Sequence, residues 1–243
     1  DLQKVLRRVL SKRSRTGKGA PSVHDAYPFL GELRLIKSSH EQQLMRQAAA
    51  ISITAHKELM RAIRPGVTER ELYGRFLSVI MSEGAQREGY NGIFAGGDHA
   101  TTLHYVFNDG VLKDGDLFLV DAGAEYKYYS ADITRTYPVN GQFSQTQTRV
   151  YEKVLQVQKE LVASVEPGVT IKSLQEKASR LLCQVMLEEG LVEGSRQQIL
   201  ESGAHKRYYP HGVSHFLGID VHDAGLRDIA GQPRSLEPGM VLT

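Results

Sequence analysis

"KELMRAIRPGVTERELYGRF" (Lys57–Phe76) is echoed further along the chain by "KELVASVEPGVTIKSLQEKA" (Lys159–Ala178). Lys-Glu-Leu, Pro-Gly-Val-Thr and a later leucine (Leu72, Leu174) coincide at one offset of 102 residues without a gap. Chance explains such a run poorly. In each copy an apolar pattern of helical spacing stops at Pro-Gly, and a threonine then stands where the next helix needs a cap. The repeat predicts two copies of a helix–turn–helix–strand unit, each supplying half of one domain. It also reaches further. "DGDLFLVDAG" places Asp121 six residues after Gly115, and "EPGMVLT" has the same glycine-then-strand form from Gly239. The counterpart of Asp121 is expected two residues beyond Thr243.

Working outward, "LQKVLRRVL" has helical spacing and "SKRSRTGKGAPS" reads as a linker. A long helical pattern from Leu33, with Ser38 or Ser39 as its cap, ends at Pro65-Gly66, and Thr68 caps a second helix that fades at Gly84. A Gly- and aromatic-rich region, Gly89 to Tyr105, precedes two strand-like runs, "DLFLVDAG" and "YYSADITRTYPV". A further helix pair spans Thr146 to Gly190.

The chain of 243 residues is 41% hydrophobic and 24% charged, as expected of an ordinary globular protein. It has no apolar run long enough to cross a bilayer, and its one cysteine, Cys183, lies in an apolar helical run as a packing residue. A disulfide framework is excluded, and a reducing, cytoplasmic setting suits the chain. Residues 1–18 carry seven Lys/Arg against Asp1 alone, while the remainder is net −4. A basic tail could attract nucleic acid or a membrane surface, but a solvated helix and linker from an upstream domain is the simpler reading, so neither partner is expected. The first residue is Asp1 and the last run, "PGMVLT", has no stop signal, so both ends are expected to be cut.

Asp121 closes the apolar run Leu117–Val120, and Asp132 lies in a run of tyrosines and β-branched residues. A buried carboxylate must be paired, protonated or bound to a cation. Two on one face repel each other unless a divalent ion sits between them. An aspartate that merely ends a strand and faces water is the commoner case. "YYPHGVSHFLGIDVHD" (Tyr208–Asp223) adds His211, His215 and His222 to the candidates, and "TTLHYVFN" adds His104. A single histidine is usually a satisfied core or surface residue, but three with an aspartate in one Gly-punctuated segment favour a site. In an extended strand His211 and His215 would point one way and His222 the other, unless the chain bulges at Gly218. "AGGDHA" lacks the strand and helix of a phosphate loop, and no nucleophile elbow is present.

"TLHYVFN", "DLFLVDAGAEYKYYSADITRTYPVNGQFS" and "PHGVSHFLGIDVHD" closely resemble the metallopeptidases of the pita-bread fold, in the aminopeptidase P and prolidase branch. "DITRTYPVNG" and "LGIDVHD" set the chain apart from the methionine aminopeptidases of that fold, and the wording is nearer aminopeptidase P than prolidase. The resemblance implies an α+β fold of two related halves around a curved antiparallel sheet. It assigns residues 31–243 to the catalytic domain, lacking its C-terminal strands, and 1–30 to a basic helix and linker from an N-terminal domain. It further implies that Asp121, Asp132 and His215 bind two divalent ions, commonly manganese, with Asp132 bridging them. His104 and His222 match positions that contact substrate and assist proton transfer, and His211 matches a histidine close to the site. The implied reaction is hydrolysis of the bond before a proline in the second position of a peptide, by a hydroxide bridging the two metals. Two further glutamate ligands of the family fall beyond Thr243, so the 243 residues alone are expected to be inactive. Homo-oligomerisation is left open. The alternative is a catalytically dead relative that uses the cleft to bind a protein or peptide.

Overall fold

The computed structural model describes residues 1–13 and 24–243. The expected linker, Ser11 to Ser22, lies for the most part outside these residues. Helix α1 (Leu2–Arg13) is followed by α2 (Tyr27–Leu35), with proline in its first turn. The long helix α3 (Ser39–Ala62) begins at Ser38, whose hydroxyl accepts from Glu41 N–H while the Glu41 carboxylate accepts from Ser38 N–H. This reciprocal cap satisfies two donors that a helix start leaves free. Met45, Ala48, Ile51, Ala55, Leu59 and Ala62 recur at three- and four-residue spacing and form the buried face of α3.

Helix α4 (Glu69–Ser82) is capped by Thr68, as expected, and packs on α3 through Leu72, Phe76 and Ile80. Beneath the pair lies a three-stranded antiparallel sheet of β2 (Ile93–Gly96), β3 (Leu117–Asp121) and β6 (Thr134–Pro138), in the order β2-β3-β6. Phe76, Phe94 and Phe118 are fully buried where helices meet sheet, each worth roughly 2 kcal/mol of transfer free energy. A second antiparallel sheet joins β1 (Arg87–Glu88), β4 (Ala124–Tyr126) and β5 (Tyr129–Ser130).

The second copy of the repeat builds α5 (Gln145–Ala163) and α6 (Ile171–Glu188), capped by Ser144 and Thr170. Its turn reproduces the first. Gly66 N–H donates to Leu112 O at 2.8 Å and Gly168 N–H to Leu236 O at 2.9 Å, with both glycines left-handed (φ 86° and 94°). Thr68 bridges Val111 just as Thr170 bridges Ser235. The strand that follows Gly239 begins to form, with Phe216 bridged to Leu242. Short helix α7 (Arg196–Ser202) and the hairpin of β7 (Asp228–Ile229) with β8 (Gln232–Pro233) complete the described chain. Among the described residues no helix is long and apolar enough to cross a membrane.

Two expectations are corrected. "YYSADITRTYPV" is not one strand: β5 ends at Ser130 and β6 starts at Thr134, in different sheets. Nor is His211 to His222 an extended strand. Gly218 N–H donates to Asp220 O and Asp223 N–H to Phe216 O, which folds the segment back on itself.

Candidate metal centre

Strand β3 delivers Asp121 at its last position, paired with Ile93 on β2 and Thr134 on β6. The chain then doubles back so tightly that a β-carbon on Gly123 would lie 1.8 Å from the Ala131 carbonyl oxygen. Only glycine fits there, and the crossing sets Asp132 beside the end of β3. Behind it, His56 on α3 holds the Ala122 carbonyl at 3.0 Å, and Ser52 accepts from Ala124 N–H at 2.8 Å. The helix therefore anchors the backbone on both sides of the crossing.

The Tyr90 hydroxyl lies between the two carboxylates, 2.5 Å from Asp121 Oδ1 and 3.0 Å from Asp132 Oδ1. Burial and the two acidic neighbours push its pKa far above that of an ordinary phenol, so it stays protonated as a donor. Burial above all, with the charge of Asp132 adding to it, pushes the Asp121 carboxyl up, against the hydrogen bonds from Tyr90 and Thr134. The other oxygen of Asp132 faces His215 Nε2 at 3.2 Å. His215 Nδ1 lies 3.0 Å from the Phe216 carbonyl, which can only accept, so Nδ1 carries a proton and Nε2, which donates to Asp132 here, is the nitrogen left free to offer a lone pair to a cation. Burial opposes a charge on His215, but its hydrogen bonds to Asp132 and to the Phe216 carbonyl outweigh this and raise its pKa.

Asp121, Asp132, His104, His211, His215 and His222 all line one cavity of about 300 Å³. The predicted site residues are thus brought together. The back-fold at Gly218 sets the His222 ring edge-on to His215, with centroids 4.5 Å apart, where an extended chain would have turned it away. Burial and the nearby His215 depress the His222 pKa, favouring a neutral ring. His104 adopts φ 54° and its ring lies 6.1 Å from that of His211. Tyr90, Thr134 and His56 were not singled out in the sequence. Tyr90 stands in the noted Gly- and aromatic-rich region, but nothing separates it there from the other tyrosines.

The donor set fits divalent cations: two converging carboxylates, one with its pKa raised by burial and by the other's charge, and an imidazole whose Nδ1 is held by a carbonyl. Asp121, Asp132 and His215 do not gather their ligand atoms within 4.8 Å of one another, a closeness met among the described residues by Glu69, His99 and Asp109.

The sequence model of metallopeptidase family M24 matches residues 43–243. The Xaa-Pro aminopeptidase of Haemophilus influenzae is 43% identical over 221 residues, which are 91% of this chain and 51% of that protein. The structure of Pseudomonas aeruginosa aminopeptidase PepP superposes with a TM-score of 0.92 at 37% identity, covering 99% of this chain and 55% of that one. Zinc-substituted Escherichia coli aminopeptidase P in complex with product gives 0.91 at 38%, covering 99% and 55%. The chain spans about half the length of the curated relatives it matches, and its fold is the pita-bread arrangement of aminopeptidase P. With the matched residues 43–243 taking in both repeats and the whole carboxylate–histidine wall, the chain belongs to metallopeptidase family M24.

Proposed function

We propose that these residues form the metal-binding and substrate-binding wall of a proline-directed aminopeptidase, which hydrolyses the bond before a proline in second position. The observation that carries this reading is the continuous chain of contacts Asp121–Tyr90–Asp132–His215 on a cavity also lined by His104 and His222. The names of the relatives support the substrate class.

Asp121, Asp132 and His215 would hold two divalent cations, manganese being the expected metal. When bound, the cations supply the positive charge that lowers the pKa of a water and polarises the scissile carbonyl. Tyr90 orients the two carboxylates, and the Phe216 carbonyl holds the His215 lone pair toward the site. His104 donates to the oxygen of the carbonyl as charge builds on it, and neutral His222 relays a proton toward the leaving imino nitrogen. His211 shapes the wall beside His104.

Hydrolysis of an Xaa-Pro-Xaa peptide by the intact protein with Mn²⁺ tests the reading. Asp132→Ala should lower kcat/KM by about 1000-fold, roughly 4 kcal/mol of transition-state stabilisation. Activity left intact by that change contradicts it.

A further inference from the structure

Glu69, the first residue of α4, is 1% exposed and belongs to a different cluster from Asp121 and Asp132. Each of its carboxylate oxygens accepts twice. Oε1 accepts from Gly96 N–H at 2.8 Å and from His99 Nδ1 at 2.9 Å; Oε2 accepts from Gly110 N–H at 2.7 Å and the Tyr105 hydroxyl at 2.9 Å. All four donors lie on the segment 96–110. Although Glu69, His99 and Asp109 are close enough to hold a cation, the lone pairs of Glu69 are already committed. The cluster is a clamp.

What it clamps is the segment bearing His104. That residue is left-handed (φ 54°), as is Asn108 (φ 50°), conformations that persist in non-glycine residues only where the surroundings impose them. Tyr105, next to His104, is buried, stacks on His99 at 4.5 Å, and reaches both Glu69 and Asp109 with its hydroxyl. Asn108 fixes the same segment to the sheet, accepting from Phe94 N–H and donating to Gly92 O. Removing the Glu69 charge would loosen four ties at once, leaving on the helix side Arg70 donating to Phe107 O and the Glu69 N–H donating to Gly110 O.

We propose that Glu69 is a positioning residue, whose carboxylate holds the 96–110 segment so that His104 is presented to the cavity of Asp121, Asp132 and His222. The role given to His104 rests on the proposed function; the positioning of its ring does not. In the intact protein, Glu69→Gln keeps the shape but turns an amide N–H₂ toward donors. Its His104 ring resonance should shift and broaden while that of His215 stays in place. With an Xaa-Pro-Xaa peptide, kcat should fall at least about tenfold with KM within about twofold, the scale expected of a misplaced group. In a His104→Ala background the same change should cost less than about twofold more, because the two act through one group. Tyr105→Phe, which deletes one of the four donors, should give a smaller effect of the same pattern, and it decides the matter if Glu69→Gln does not fold. An unmoved His104 resonance, or an equal loss in both backgrounds, overturns the proposal. If the unmodified protein cleaves no Xaa-Pro peptide, the functional reading fails, and the resonance still decides the role of Glu69.

Discussion

Tyr90 shares one proton between two carboxylates, and that single proton keeps Asp121 and Asp132 facing each other without a cation. Tyr90→Phe should therefore lower Mn²⁺ affinity about 10- to 100-fold, the usual cost of losing a hydrogen-bonded support to a ligand, as read by calorimetry. The titration of the metal-free site has a definite sign. The folded pKa of Asp121 lies above its unfolded value, so the folded state holds the extra proton and stability falls as pH rises through that window. The pKa of His215 is also raised, so its stabilising contribution is full below the unfolded value and is lost as pH climbs past it. The urea midpoint of the metal-free protein should thus decline as pH rises past the ordinary carboxylate range and again past the ordinary imidazole range, and Asp121→Asn should flatten the first part of that decline; an equal slope there in both proteins would refute the assignment. At this scale Asp121, Asp132 and the histidines of Tyr208–Asp223 stood out in the sequence only as candidates, and the family resemblance rather than their pattern marked Asp121, Asp132 and His215 as ligands. Tyr90 did not stand out, because its role depends on a crossing of backbones far from it in sequence.

Elements were most legible where local chemistry decides them. Thr68 caps its helix as expected, Thr170 does the same in the second copy, and the reciprocal cap at Ser38 makes Ser38→Ala a loss of about 1 kcal/mol in denaturant unfolding. The strands were less so. The break between "DLFLVDAG" and "YYSADITRTYPV" holds a further short strand, β4, and Lys127 and Tyr128 take positive φ (48° and 73°) to turn the chain from it into β5. Neither residue signals such a turn, and the pairing of β4 with β5 and β1 imposes it. Gly123 was likewise silent in the sequence, being one of 23 glycines. Gly123→Ala would drive a methyl into the Ala131 carbonyl, and it should cost about 3 kcal/mol or more while pulling Asp132 away from Asp121. An unchanged melting temperature and metal affinity in that variant would show the crossing to be dispensable.

Across the molecule the two repeats meet through charge as well as through apolar packing. Lys37, ahead of α3, is buried against Asp223 at 2.9 Å, and Arg34 on α2 pairs with both Asp223 and Asp220. These contacts tie the start of the first half to the back-fold that carries His222. Lys37→Met would leave Asp223 buried with Arg34 alone and should destabilise the fold by about 3 kcal/mol in urea, with His222 displaced. The repeat itself was visible because both turns need the same residues, Pro-Gly-Val-Thr. How the halves face each other was not, because it rests on contacts such as Lys37–Asp223 between residues remote in sequence. The central claim is that Asp121, Asp132 and His215 hold a pair of cations between these halves. The most direct test is a calorimetric titration of the metal-free intact protein with Mn²⁺, beside Asp132→Asn. Two equivalents taken up by the unmodified protein, and at most one, weakly, by the variant, are the expected result. Uptake identical in the two proteins, or none in either, would contradict it.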